Sequence, residues 1–177
     1  MQAFPPILSI ADDEVDCDLD KRLRALLVPC FPHEPVLLTR RYVKEPPAQR
    51  FLMKNEDGSI RAHVAVHLKT VRVEGADVRI GGIAEVAVDP AYRGQGCLRR
   101  ILPAVHSWLL AQGVSFAMLI GNPSIYRSSG YRSLLSPIRY LDEGCGWKEE
   151  VHGLAMVREL GSERWPAGVT DLRGPLF

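Results

Sequence analysis

The sequence of 177 residues predicts one α/β domain whose mixed, mostly antiparallel and twisted sheet carries helices on both faces. Segments with a hydrophobic period of two, typical of strands, alternate with segments whose apolar residues recur at helical spacing. Their order is a strand, helices, three strands, a long helix, a strand, a short helix and two strands. A chain of this length is about one domain and buries roughly 70% of the surface that its unfolded form exposes. No linker or internal repeat divides it, so residues 1–177 are expected to form a single domain.

The first third of the chain predicts one strand and two helices. Residues 7–10 are an apolar run, and the acidic residues that follow within 12–16 are interpreted as a solvated loop that begins a helix. Residues 18–27 place four leucines on one helical face, and three prolines starting at Pro29 are expected to stop that helix. A second, weaker helical pattern covers residues 39–44.

The middle of the chain predicts three antiparallel strands at residues 51–54, 60–73 and 78–88. Gly58 and Gly75 mark the two turns between them. Along the second of these strands, apolar residues alternate with polar ones. The alternation predicts a polar face that carries Arg61, His63, His67 and Lys69.

The second half opens with the long helix, at residues 95–112, and Gly113 is placed as its left-handed stop. A short buried strand, a short helix and two further strands are predicted to follow. They cover residues 114–120, 124–129, 134–141 and 151–160.

The charge balance excludes functions that rest on a strongly charged surface. The chain has 22 basic and 21 acidic residues and a net charge of +1, so neither nucleic acid nor a membrane is an expected partner. The four cysteines show neither a C-x-x-C pair nor zinc spacing, which predicts reduced thiols and no metal. The N-terminal residues, from Met1 to Pro6, lack the pattern of a signal peptide, so a cytoplasmic protein is expected.

The segment 86–102 carries the clearest chemical signal. A strand runs into a loop with two glycines, Gly94 and Gly96, and the loop opens the long helix. Such a loop exposes consecutive backbone N–H groups, and the start of a helix adds positive potential. The glycines allow the backbone to approach a ligand without an intervening Cβ. The pattern predicts a cradle for an anion such as a pyrophosphate.

Two motifs resemble those of the GNAT superfamily of acyl-CoA-dependent N-acyltransferases. The first is the pattern V-x-P-x-Y-R-G-x-G before a long helix, from Val88 to Gly96. In the family's loop pattern, Arg93 and Gly96 match the fixed positions, and Leu98 stands where the family has Gly or Ala. The second motif resembles N-x-x-x-x-Y-x-x-x-G-[FY], although its asparagine and tyrosine, Asn122 and Tyr126, are one residue closer here.

The resemblance implies the GNAT fold and an acyl-CoA co-substrate, most simply acetyl-CoA. It implies a pantetheine arm paired with Val86 and Val88, and cofactor contact by Asn122. Tyr126 would be the general acid toward the departing thiolate. The pyrophosphate would be held by Arg93, Gly94, Gln95, Gly96, Cys97 and Leu98.

The general base is left open by the sequence. Glu85 is a candidate, but in a regular strand its side chain points away from positions 82 and 84, where the family often carries the base. His63 and His67 could serve through a water molecule, because imidazole titrates near neutrality. Either histidine could instead be a packing residue.

The substrate also stays open. Parts of residues 50–177 resemble aminoglycoside 2'-N-acetyltransferases, and Pro103 with the C-terminal tail resembles the rhizobial nodulation N-acyltransferase. The first expectation is acetyl transfer to a primary amine of a small molecule. The alternatives are transfer of a longer acyl chain and a non-catalytic acyl-CoA-binding domain; a homodimer is left open. The basic residues of segment 40–44 argue against a polycationic aminoglycoside as the acceptor.

Overall fold

The longest strands of the protein, β3 (Ile60–Val73) and β4 (Ala76–Val88), form a hairpin whose turn consists of two residues. Both turn residues, Glu74 and Gly75, have positive φ values, 47° and 85°. Positive φ at both central positions is the geometry whose twist matches that of paired strands. The predicted strand–turn–strand segment is therefore confirmed.

The computed structural model describes residues 4–177. Residues 1–3, on which the expectation about a signal peptide partly rests, lie outside the described residues. The chain forms two compact units. The first contains the residues up to His67 together with Ala84–Val105, and the second contains Leu68–Ile83 and His106–Phe177.

In the first unit, β1 (Ile7–Ala11) pairs antiparallel with β2 (Gln49–Lys54), and β2 pairs antiparallel with the first part of β3. Helix α1 (Cys17–Cys30) begins at Asp16, whose carboxylate accepts a hydrogen bond from the N–H of Leu19 at 2.8 Å. Such a cap satisfies one of the free N–H groups at a helix start. The apolar face of α1 packs in a core whose fully or nearly buried members are Leu23, Leu26, Leu27, Leu37, Leu52, Ile60 and Ala87.

One prediction for the first unit is confirmed in part and one is wrong. Helix α1 ends within the group of three prolines, as expected, but at Cys30 and not before Pro29. Residues 39–44 are not helical; a short 3-10 helix, Pro35–Leu38, precedes them. Side chains satisfy several of their backbone groups instead, since the Arg40 guanidinium donates to the carbonyls of Tyr42 and Val43.

In the second unit, the strands lie in the order β6, β9, β5, β4, β3, β10, β7, β8. The pairs β4–β5 and β7–β10 are parallel and the other pairs are antiparallel, so the mixed, mostly antiparallel sheet is confirmed. The strands not yet given are β5 (Phe116–Ile120), β6 (Arg132–Ser133), β7 (Ile138–Asp142), β8 (Gly146–Glu150), β9 (Ala155–Glu159) and β10 (Thr170–Asp171).

Helix α2 (Cys97–Ala111) ends as predicted. Gly113 has φ 68°, and the N–H of Val114 donates to the carbonyl of Leu109 at 3.0 Å, which satisfies a carbonyl at the helix end. The short helix α3 (Pro123–Tyr126) is also confirmed. Strand β8 was not predicted, because its sequence, GWKEE, has no period-two apolar pattern and it exists by pairing with β7.

Candidate active site

The glycine loop lies between the end of β4 and the start of α2. The Asp89 carboxylate accepts a hydrogen bond from the N–H of Ala91 at 2.9 Å and begins the short 3-10 helix Pro90–Tyr92. Gly94 and Gly96 follow with φ values of 74° and 83°, a region that side chains disfavour. The N–H of Arg100 donates to the carbonyl of Gly96 at 3.3 Å, so the N–H groups of the three residues between them have no partner within the helix.

The space outside this loop suits an anion. A Cβ placed on Gly94 would meet nothing within 4 Å, and one placed on Gly96 would meet only the Arg99 guanidinium, whose nearest atom would be 3.2 Å away. The loop therefore combines open space, free N–H groups and a flexible cation. Sequence reasoning missed Arg99, although a basic residue in the first turn of a helix that follows a glycine loop was a usable signal.

The Arg93 side chain braces the loop. Its Nε donates to the carbonyl of Val88 at 3.2 Å, and one terminal nitrogen lies 3.7 Å from the sulfur of Cys30. The Gln95 amide donates to the carbonyl of Ala91 at 3.0 Å. These contacts commit both side chains to the loop itself, so the backbone N–H groups are the atoms best placed to meet a ligand.

Cys97 and Leu98 complete the loop at the start of α2. Cys97 is buried, its sulfur lies 3.7 Å from the carbonyl of Tyr92, and burial raises the pKa of its thiol. Leu98, which departs from the family pattern, is partly buried. Cys97 therefore packs beneath the loop and would contribute its backbone N–H to a ligand.

Tyr92 is held by Arg61, which lies on strand β3. The Arg61 guanidinium lies 4.2 Å from the centre of the Tyr92 ring, and Arg61 Nε donates to the Asn55 side chain at 2.9 Å. Arg61, His63 and His67 are buried, so the histidines of the predicted polar face of β3 are packing residues and not surface residues.

Val86 and Val88 are partly exposed near the end of β4. The parallel pairing of β4 with β5 ends at Ile83, so both valines lie beyond it along the chain. The Val88 carbonyl accepts from Arg93 and from the Cys30 thiol, at 3.2 and 3.6 Å. The backbone of Val86 and the N–H of Val88 are the groups that we expect to pair with an added, strand-like ligand.

Glu85 interrupts the regular alternation of β4. Its φ is 47°, which is uncommon for a residue with a side chain. The expectation that Glu85 points away from positions 82 and 84 required a regular strand, and that condition is not met at this residue. Its carboxylate is 6% exposed and accepts a hydrogen bond from the N–H of Val43 at 2.8 Å.

Arg50 connects Glu85 to a buried polar network. Its guanidinium is 0% exposed; Nε donates to Asp12 at 2.5 Å, and one terminal nitrogen lies 3.4 Å from the Glu85 carboxylate and 3.0 Å from Nε2 of His63. The other terminal nitrogen donates to the carbonyl of Arg41 at 3.0 Å. Four of the five donors of this guanidinium are thus satisfied by four different residues.

The network determines which groups can accept a proton. Burial, and secondarily the charge of Arg50, lowers the pKa of His63 to about 3. Nδ1 of His63 lies 2.8 Å from the carbonyl oxygen of Glu85 and must donate to it, which leaves Nε2 to accept from Arg50. His63 is therefore neutral with its lone pair occupied, and we exclude it as a general base.

Burial raises the pKa of Glu85, although the Arg50 charge and the Val43 N–H oppose this shift. Burial also acts to raise the pKa of Asp12, but hydrogen bonds from Arg41 and Arg50 outweigh it and the net shift is downward. Of these two carboxylates, Glu85 is the one whose affinity for a proton is increased. His67, the other histidine considered, is buried with Nδ1 3.9 Å from Glu45.

The interpretation of the first acidic cluster as a solvated loop is wrong for Asp12, which is 5% exposed and bonded to two arginines, while Asp13, Glu14 and Asp16 are exposed. It also lines a surface cavity of about 530 Å³. The other lining residues are Asp13, Arg41, Tyr42 and the run Pro46, Pro47 and Ala48.

Tyr126 lies at the end of α3 in the second unit and is 8% exposed. Burial raises the pKa of its phenol to about 12, above the ordinary value near 10 on which the sequence-based expectation relied. A Cβ at Gly121 would lie 2.6 Å from the Tyr126 ring, so a glycine is required there. The Tyr131 ring packs edge-on at 6.0 Å, and its hydroxyl lies 2.9 Å from Nε2 of His106.

Asn122 caps the helix that carries Tyr126. Its side-chain oxygen accepts hydrogen bonds from the N–H and the hydroxyl of Ser124, at 3.0 and 2.9 Å. Its oxygen is therefore committed to α3, and its NH₂ group is the part that we expect to be available to a ligand.

Over residues 4–177, no group of three or more His, Cys, Asp or Glu side chains is arranged to hold a metal ion. In the same part of the chain, no helix has the length and apolar character needed to cross a membrane. All four cysteines are free thiols.

Known proteins that are similar to this chain include acetyltransferases. Over 77 residues the chain is 31% identical to the uncharacterized N-acetyltransferase YhbS of Escherichia coli (strain K12), and the match covers 44% of this chain. The matched region also covers about 45% of the length of each curated relative, so the chain spans less than half of those relatives.

Solved structures show the same fold. The crystal structure of YhbS from Escherichia coli in complex with CoA has a TM-score of 0.63 at 20% identity, over 97% of this chain and 92% of that one. A GNAT family acetyltransferase from Brucella melitensis in complex with acetyl-CoA has a TM-score of 0.60 at 16% identity, over 93% and 94% of the two chains.

Residues 18–134 match the acetyltransferase (GNAT) domain family. Because this match includes the glycine loop and α3 and covers more than half of the sequence, the chain belongs to the GNAT family of acetyltransferases.

Proposed function

We propose that this protein is an N-acetyltransferase that moves the acetyl group of acetyl-CoA to a primary amine of a small molecule. The observation that carries the proposal is the loop 93–98, which combines open space at Gly94, N–H groups at the start of α2 without a partner in the helix, and the nearby cation of Arg99. Membership of the GNAT family supports it, as do the CoA and acetyl-CoA in the YhbS and Brucella melitensis structures.

In this proposal the backbone N–H groups of Gly94, Gly96, Cys97 and Leu98 bind the pyrophosphate, whereas the N–H of Gln95 donates to the carbonyl of Tyr92 at 3.4 Å. Arg93 and Gln95 keep the loop in shape through the hydrogen bonds that they make to it. The backbone at Val86 and Val88 would pair with the pantetheine arm, and the amide of Asn122 would contact the co-substrate.

The chemistry requires one proton acceptor and one proton donor. Glu85 is the proposed base: because it does not line the 530 Å³ cavity, it would take the proton from the amine nitrogen through a water molecule as the C–N bond forms, and burial raises its pKa. Tyr126 is the proposed acid: with a pKa of about 12 it is protonated at neutral pH and donates to the sulfur as the C–S bond breaks.

The cavity of about 530 Å³ is the proposed acceptor pocket. Asp12 is already paired with two arginines, so Asp13, which is exposed, is the carboxylate that we expect to meet an ammonium group. One such carboxylate suits a small amine with few charges better than a polycation. The resemblances to aminoglycoside acetyltransferases and to the nodulation acyltransferase stay predictions.

We also propose that residues 1–177 act as a single GNAT domain in the cytoplasm. Strands β3 and β4 and helix α2 each contribute residues to both compact units. Four unpaired thiols are usual in a reducing compartment.

Calorimetry with CoA and acetyl-CoA, followed by a thiol-release assay with monoamines, polyamines and an aminoglycoside, tests the function. We expect the protein to bind both CoA and acetyl-CoA, and we expect release of the CoA thiol with at least one amine. Binding without release would favour a non-catalytic acyl-CoA-binding domain, and release only with long-chain acyl-CoA would favour a longer-chain acyltransferase. Failure to bind CoA would overturn the proposal.

A further inference from the structure

The irregular segment 40–44 is held by two buried side chains that lie on strands. The carbonyl of Arg41 accepts from Arg50 of β2 at 3.0 Å, and the N–H of Val43 donates to Glu85 of β4 at 2.8 Å. Because the segment is not helical, these bonds replace the intrahelical ones that its backbone lacks. Arg50 and Glu85 thus clamp two backbone groups that are two residues apart.

The two clamping side chains also hold each other. Arg50 lies 3.4 Å from the Glu85 carboxylate, and its other carboxylate partner, Asp12, is 2.5 Å away. A fully buried guanidinium bonded to several partners has one orientation available to it, whereas the ammonium group of a lysine cannot reproduce the planar fork. The position of residues 41–43 therefore depends on an arginine at position 50.

The clamped segment forms part of the wall of the 530 Å³ cavity, because Arg41 and Tyr42 both line it. The side chain of Arg41 is itself fixed by two hydrogen bonds to the Asp12 carboxylate, at 2.8 and 2.9 Å. Arg50 does not line the cavity, so any effect that it has on a ligand there must act through the two lining residues that it bonds, Arg41 and Asp12.

We propose that Arg50 is a positioning residue for the amine acceptor: with Glu85 it fixes residues 41–43, and so sets the shape of the acceptor pocket. The inference rests on the proposed function in assigning the cavity to the acceptor. The clamp itself does not depend on that assignment.

The test compares wild type with Arg50→Lys in two measurements. Hydrogen exchange of the Val43 amide reports on the clamp, and we expect it to accelerate by about tenfold or more in the variant. Steady-state kinetics report on the pocket, and we expect the KM for the amine to rise about tenfold while the KM for acetyl-CoA changes less than about twofold.

Arg22→Lys is the matched control. Arg22 also bonds one carboxylate and one backbone carbonyl of the first unit, those of Asp18 and Asp57, at 2.7 and 3.3 Å. Among its hydrogen bonds in the described chain, none reaches residues 41–43. We expect its Val43 exchange rate and its KM for the amine to match wild type.

Unchanged exchange at Val43 in a folded Arg50→Lys protein would overturn the clamp. Faster exchange with an unchanged KM for the amine would overturn the role in acceptor binding. If Arg50→Lys does not fold, Glu85→Ala is the second variant, because it removes the acceptor of the Val43 N–H and leaves Arg50 paired with Asp12. Unchanged exchange of the Val43 amide in Glu85→Ala would likewise overturn the clamp. If wild type acetylates no amine, the proposed function fails, while hydrogen exchange still tests the clamp.

Discussion

Nδ1 of His63 lies 2.8 Å from the carbonyl oxygen of Glu85, the residue whose positive φ interrupts β4. This hydrogen bond joins the side chain of a residue on β3 to the backbone of β4 at the residue whose φ departs from that of a regular strand. It also leaves Nε2 of His63 as an acceptor for Arg50 at 3.0 Å. One neutral imidazole therefore contacts both the residue of positive φ in β4 and the buried guanidinium beside it.

This arrangement makes stability sensitive to acid. The pKa of His63 is about 3 in the folded protein and near 6.5 in an unfolded chain. The unfolded state therefore gains a proton as the pH falls through 6.5 while the folded state does not, so stability is lost progressively from pH 6.5 down to about 3. At pH 5 the loss from this residue is about 2 kcal/mol.

We expect His63→Gln to reduce the difference in unfolding free energy between pH 7 and pH 5 by about 2 kcal/mol, measured by urea denaturation. The difference is the relevant quantity, because the substitution also changes stability at pH 7. His33→Gln, at an exposed histidine, should leave the difference as it is in wild type. An equal pH dependence in all three proteins would show that His63 is protonated in the folded state.

Gly96→Val should weaken CoA binding at least about tenfold, or about 1.4 kcal/mol. Valine resists the φ of 83° at this position, and its branched side chain would stand where backbone is proposed to face phosphate. Gly144→Val imposes similar backbone strain at φ 90° in the turn between β7 and β8. Calorimetry should find wild-type CoA affinity in that control, and unchanged affinity in a folded Gly96→Val protein would remove the loop from the site.

Tyr126→Phe should lower kcat by about 10- to 100-fold while the affinity for acetyl-CoA stays nearly constant. The substitution keeps the packed ring and removes only the proposed proton donor. Because the pKa of Tyr126 is about 12, loss of its proton should not limit the rate below about pH 11. Thiol-release kinetics beside a binding titration separate the two effects, and a loss confined to affinity would make Tyr126 a packing residue.

Tyr131→Phe is the control for this measurement. It removes a neighbouring buried hydroxyl that lies 2.9 Å from Nε2 of His106, so it should cost about 1–3 kcal/mol of stability through the unpaired imidazole. Its kcat should stay close to that of wild type. A matching fall in kcat for both variants would point to disturbed packing instead of general acid catalysis.

Glu85→Gln tests the proposed base and keeps an oxygen for the N–H of Val43, although its NH₂ group cannot accept from Arg50 as the second carboxylate oxygen does. We expect kcat/KM at pH 7 to fall by about a hundredfold or more, within the range of general base catalysis, and hydrogen exchange of the Val43 amide measures how far the clamp is loosened in the same variant. In wild type the acid limb of the pH profile should lie above pH 4.5, because burial raises the pKa of Glu85 above that value. Turnover equal to wild type would exclude Glu85 as the base.

The sequence by itself determined the features that depend on neighbouring residues. Strand periodicity, the Glu74–Gly75 turn, the glycine loop and the Gly113 helix stop are each set by a few consecutive residues, whose backbone preferences act locally. The motifs around Gly96 and Tyr126 could therefore be found from the sequence, and family membership with them.

Only the tertiary structure decided the states of the charged groups. Asp12, Arg50 and Glu85 are far apart in the sequence, and nothing in their local patterns indicates that they meet in one buried network. A charge is stable in the interior only where a partner and hydrogen bonds compensate for the water that it loses, and those partners come from distant segments of the chain. For the same reason, the sequence could not show that Glu85 has a positive φ, that His63 is neutral, or that burial raises the pKa of Tyr126.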